Sequence, residues 1–152
     1  MNAPQAAEGG DPEGEPGAGV AGETEEIGAD DYLLRKIEDT PHLLPREAGG
    51  RRISKAAFSP SSVREDPEQG MSCNSEKILK REGLDPAHFA PATPVLARLA
   101  VKDLTDLGLQ VVHRPLDDDR SHCNVLGVRD THRKKLLAKC TLLRFPPDVH
   151  KN

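Results

Sequence analysis

The chain predicts an α+β domain: a small, mostly antiparallel sheet covered on one side by helices, preceded by a disordered acidic N-terminal tail. Three observations predict it. Two short β-branched stretches, "LQVVH" (109–113) and "HCNVLGV" (122–128), flank the polar gap "RPLDDDRSH", which suits adjacent antiparallel strands. Apolar residues at three- and four-residue steps, with start and stop signals around them, mark helices elsewhere. Finally, residues 1–31 hold nine acidic side chains and no Lys or Arg, so they bury too little surface to offset the entropy of ordering.

The ordered part begins at "DDYLLRKIEDTPHLLP". Tyr32, Leu33 and Ile37 fall near helical spacing, with Asp30 or Asp31 as cap, until Pro41 and Pro45 force extended or turn geometry. "GGRRISKAAFSPSS" offers a turn at Gly49-Gly50 and a short extended piece ending near Phe58. "SVREDPEQG" is loop-like. Met71 and Cys73 alternate with polar residues in a brief strand. Asn74 or Ser75 then caps a helix with Glu76 in its first turn, Ile78 and Leu79 inward, and Gly83 at its end. From Val95 to Leu107, Leu96, Leu99, Ala100, Leu104 and Leu107 read as one amphipathic helix closed by Gly108. After the two strands, "RDTHRKKLLAKCTLLRF" reads as a last helix capped by Asp130 or Thr131 and ended by Pro146-Pro147. Leu136, Leu137, Cys140 and Leu143 form its apolar face. The predicted organisation is thus a disordered tail at 1–31, one domain at 32–147 and a disordered end at 148–152.

Charge divides along the same line. The whole chain is formally −4 and the tail −9, leaving +5 on the remainder, a sign asymmetry that suits an arm shielding a basic surface or a purely solvating tail. Cys73, Cys123 and Cys140 are an odd set without a CxxC spacing, which argues for reduced thiols in a cytoplasmic protein. No secretory leader is recognisable, and no apolar run reaches the ~20 residues of a membrane span. No cofactor is signalled and no membrane partner is expected.

Several polar groups are candidates for chemistry. His113 and His122 sit at one end of the expected strand pair, with His132 in the last helix, but HxH, HExxH and CxxC are absent, so no metal site is expected. Cys123 beside a histidine would be a nucleophile only with a depressed pKa; a buried strand cysteine is the commoner outcome. Asp117–Asp119 lacks the alternating ligands and glycine of a calcium loop. Arg133, Lys134, Lys135 and Lys139 make the basic face of the last helix and form a candidate binding surface, for phosphates among other anions. One tyrosine and three phenylalanines leave little for base stacking. Arg52, Ser54 and His122, with Arg51, are the candidate catalytic residues if they share one pocket.

"LLRKI" (33–37), "RRISKAAFSPSS" (51–62), "MSCNSEKIL" (71–79) and "LGLQVVHRPLDDDRSHCNVLG" (107–127) together resemble a loosely defined group of small uncharacterised bacterial proteins. That group follows the pattern LxRxI…GRxSSxAF…MSV…GLxVxxDPxxxNPAHAxVxG. The resemblance spans Leu33 to Gly127 and departs at Lys55, Cys73, Arg114 and Cys123, where the group favours serine, valine, aspartate and alanine. It implies no particular activity and marks His122 for attention. The leading expectation is a non-enzymatic, cytoplasmic protein-interaction module with a protein partner. The alternatives are a small enzyme acting on a nucleotide or nucleic acid, and nucleic-acid binding through the last helix.

Overall fold

A computed structural model of the chain describes residues 23–39, 41–60 and 70–152. Along the chain come β1 (Tyr32–Ile37), β2 (Leu43–Pro45), β3 (Arg51–Ile53), a 3₁₀ turn (Lys55–Phe58), β4 (Met71–Ser75) and α1 (Glu76–Arg81). A second 3₁₀ turn (Pro86–His88) leads to β5 (Val95–Ala100), α2 (Val101–Asp106), β6 (Gln110–His113) and β7 (His122–Leu126). Then follow α3 (Asp130–Lys139), β8 (Thr141–Arg144) and β9 (Val149–His150). Among the described residues, six strands form an antiparallel sheet in the order β6-β7-β4-β1-β5-β8, and β2-β3-β9 form a smaller one. The fold is α+β, as expected.

The centre of the large sheet corrects two helix assignments. Residues 32–37 and 95–100 are paired strands, in register from Tyr32 opposite Ala100 to Ile37 opposite Val95. Leu33, Ile37, Val95, Ala97 and Leu99 enter the main core, whereas Leu34 and Leu96 pack with Leu79 of α1 on the other face. A strand covered on both sides loses the apolar–polar alternation that normally betrays it. Only the second half of the expected 95–107 helix is helical; Gly108, at φ +82, ends it in the left-handed region that glycine enters without strain.

Burial on both sides also revises the covering. α3, the first 3₁₀ turn and the small sheet lie over the main core through Leu136, Ala57, Phe58 and Ile53, while α1 lies on the opposite face. Helices therefore cover two sides rather than one. The α1 start is as predicted: Ser75 Oγ accepts the Ile78 N–H at 3.2 Å. α3 starts one residue earlier than its expected caps. Arg129 occupies the cap position, and His132 Nδ1 accepts its N–H at 3.0 Å.

The last helix also ends sooner than its periodicity suggests. Cys140 is already extended, and residues 141–144 add to the edge of β5 as β8. Leu142 packs toward the main core and Leu143 toward the Leu34 cluster, the alternation of a strand. The domain does not stop at 147. β9 runs parallel to β3, Val149 is buried, and Asp148 accepts both the Arg51 N–H and its guanidinium. These backbone and ionic bonds tie down residues expected to be free.

Of the segment assigned to the acidic tail, residues 1–22 lie outside the described residues, and residues 23–31 lie against the fold. The Glu25 N–H donates to His113 Nδ1 at 3.0 Å, the Glu25 carboxylate pairs with Arg81 and Lys77, and Ile27 packs on the core. The loop expected at 62–70 lies outside the described residues except for Gly70.

Candidate functional site

β4 and β7 carry the chain's polar residues to one face of the large sheet. Cys73 lies opposite Cys123, and both point into the main core. Alternation therefore sends Ser72, Asn74, His122 and Asn124 to the other face. Opposite Cys123 on the remaining side is His113, so the two histidines of the strand pair project from opposite faces and share no site. His113 is buried with both ring nitrogens engaged: Nδ1 accepts from Glu25, and Nε2 lies 2.8 Å from the Arg120 carbonyl.

The polar face is closely bonded. Asn74 Nδ2 lies 2.8 Å from each Asp119 oxygen and from Ser121 Oγ, and the Ser121 hydroxyl donates to Asp119 at 2.9 Å. Asn74 and Ser121 are buried, so these bonds satisfy groups that water cannot reach. Next to them, Ser72 Oγ stands 2.8 Å from His122 Nε2, and His122 Nδ1 is 2.9 Å from the Arg114 carbonyl. Arg114 Nη1 donates to Asn124 Oδ1 at 3.4 Å.

On the core side, a cleft of ≈ 820 Å³ opens between β3 and α3. Its floor is Ile53, Leu137 and Ala138; its cations are Arg52, Lys55, Lys134 and Lys151. Lys55 pairs with Asp130 at 3.1 Å, and that hydrogen-bonded contact holds the Asp130 carboxyl below its ordinary pKa. Lys151 Nζ donates to the Ala138 and Cys140 carbonyls at the end of α3. Among the described residues neither Arg52 nor Lys134 has an ion-pair partner.

The structure therefore separates the candidate catalytic residues. Arg52 and Ser54 line the cleft, whereas His122 lies on the opposite face of the large sheet. Ser54 Oγ accepts the Ala56 N–H at 3.1 Å, which caps the first 3₁₀ turn, and Arg51 is held by Asp39 and Asp148. The basic residues of α3 also diverge. At about 100° per residue, Lys134 turns with Leu137 and Ala138 toward the cleft, while Lys135 and Lys139 project elsewhere into solvent. Arg133 is half-buried, 4.0 Å from Asp130. They do not make one continuous basic face.

The thiols are poor nucleophiles here. Burial pushes Cys73 up to about 11 and Cys123 up to about 12. Two arginines prove to be braces, one of them Arg144, which the helical reading of 129–145 would place on the basic face. Arg35, the arginine of "LLRKI", donates to the carbonyls of Ala57, Ser59 and Ser72, linking β1, β4 and the 3₁₀ turn. Arg144 donates to four carbonyls, those of Ala87, Phe89, Ala90 and Thr93. No spacing rule marks an arginine whose partners are main-chain carbonyls distant in sequence.

Among the described residues no group of three or more His, Cys, Asp and Glu side chains converges to hold a metal ion, and no helix is long and apolar enough to cross a membrane. Comparison of the chain with protein-family models, curated proteins and solved structures finds no match.

Proposed function

We propose that the chain is a protein-interaction module that holds an acidic segment of a partner protein in the cleft between β3 and α3. The lining carries this reading: an aliphatic floor of Ile53, Leu137 and Ala138 beneath Arg52, Lys55, Lys134 and Lys151. Such a surface complements a strand or turn bearing carboxylates and one or two aliphatic side chains. Arg52 and Lys134 give it charge that no described carboxylate neutralises. A nucleotide is served less well, because the lining contains no aromatic side chain on which a base would stack. The buried thiols suit a reducing cytoplasm, and the resemblance to small bacterial proteins extends the proposal to a bacterial cell.

The test is a binding titration with a fluorescent peptide of alternating glutamate and leucine. Wild-type protein binds it, more weakly as salt rises. The double variant Arg52→Glu/Lys134→Glu weakens binding by about tenfold or more, while Lys135→Glu/Lys139→Glu leaves it nearly unchanged. Equal loss in both variants, or tighter binding of a short single-stranded DNA than of the peptide, refutes the assignment.

A further inference from the structure

We propose that Ser72 and His122 form a nucleophilic pair that accepts acyl groups from small activated esters, a chemistry separate from the cleft. Ser72 is exposed near the start of β4, and His122 opens the neighbouring β7. The two are diagonal neighbours, since Ser72 faces Asn124 and Asn74 faces His122 across the ladder. Their side chains meet at 2.8 Å, Oγ to Nε2. The other ring nitrogen, 2.9 Å from the Arg114 carbonyl, assigns the tautomer. A carbonyl only accepts, so Nδ1 carries the proton and Nε2 presents its lone pair to the Ser72 hydroxyl. Nucleophile, base and a group that orients the base thus stand in order.

Asn124 and Arg114 are assigned the role of stabilising developing negative charge. Asn124 is directly opposite Ser72 on the same face, a separation of about 4.5–5.5 Å between Cβ atoms. Its Oδ1 accepts Arg114 Nη1 at 3.4 Å, so an amide and a guanidinium flank the pair on the Asn124 side. Gly70, two residues before Ser72, lets the start of β4 approach Asn124 closely. A Cβ there would stand 2.8 Å from Asn124 Cβ and 2.9 Å from Leu126 Cδ2, and its φ of +86 is the left-handed region.

In the first step Ser72 Oγ attacks the ester carbonyl carbon and its proton passes to His122 Nε2. Collapse of the tetrahedral oxyanion breaks the bond to the leaving oxygen, which takes that proton, and leaves an acyl ester on Ser72. Water then attacks the acyl carbon, gives a proton to His122, and Ser72 departs with it. The net change is ester plus water to acid plus alcohol. Ser72 is exposed, and the substrates proposed for it are short acyl esters with good leaving groups.

The experiment uses a fluorophosphonate probe and p-nitrophenyl acetate on the full chain. Peptide mapping is expected to place one adduct on Ser72, formed faster in native protein than in urea-unfolded protein. Ser72→Ala loses the adduct, and His122→Gln slows it by about a hundredfold. Continued protection of the buried Cys73 and Cys123 from a thiol reagent reports that each variant is folded. The cleft variant Arg52→Glu/Lys134→Glu labels as wild type does, which keeps this outcome independent of the peptide test. Absence of an adduct on Ser72, or labelling no faster in native than in unfolded protein, overturns the proposal. So does an unchanged rate in folded His122→Gln.

Discussion

The two faces of the large sheet are built from opposite materials. One is mainly apolar: Leu33, Ile37, Met71, Cys73, Cys123 and Val125 meet Phe58, Ile53 and Leu136 in one cluster, with the bonded Arg35 and His113 at its margins. The other carries a small apolar patch, Leu34, Leu79 and Leu96, and beyond it two bonded groups, Asn74-Asp119-Ser121 and Ser72-His122. The first face is stabilised by area and by fit, which tolerate approximate chemistry. The second is stabilised by satisfaction, in which each partner removed leaves another exposed to an unmet need.

The largest effects should come from the apolar face. Phe58 is fully buried, so Phe58→Ala is expected to cost about 3–5 kcal/mol in urea unfolding, through lost transfer energy and the cavity left behind. A cost near that of an exposed residue would mean that the 3₁₀ turn is not packed on the sheet.

Next in size is the polar lattice. Asn74→Ala should cost about 1–3 kcal/mol, because Ser121 is buried and Asp119 loses its amide partner. Asp119→Ala combined with it should cost less than the two single losses together, since they remove one shared contact. Additive losses in a double-mutant cycle of unfolding free energies would show that the lattice does not act as a unit.

The same contrast explains what the sequence disclosed. β6 and β7 were legible because two short β-branched stretches flank a polar loop, at one edge of the sheet. α1 was legible from Ser75, Glu76 and the glycine after it. β1 and β5 were not, because Leu33 beside Leu34, and Leu96 beside Ala97, are buried on opposite faces and imitate a helical stripe. β8 was hidden because its pairing depends on the edge of β5, which no local spacing reports. His122 was noticed among the candidate residues, but Ser72 was not. The two meet only through a register between strands fifty residues apart, beyond the reach of any motif.

The smallest effect concerns a histidine outside both faces, in the turn between β1 and β2, and it tests whether bonded lattices are needed at the periphery too. His42 Nδ1 accepts the Glu38 N–H at 3.0 Å. Burial, assisted by the nearby Arg35 charge, pulls its pKa below the ordinary 6.5. A depressed folded-state value means that the unfolded chain binds the proton first. The contribution is therefore complete above about pH 6.5 and declines as pH falls through the folded-state value. Protonation also removes the lone pair that Glu38 N–H needs. His42→Gln supplies a carbonyl acceptor that does not titrate in this range. The stability of wild type relative to this variant should therefore fall from about pH 7.5 to about pH 5, by less than either mutation above. A difference that stays flat or grows on acidification would place His42 outside the bonded turn.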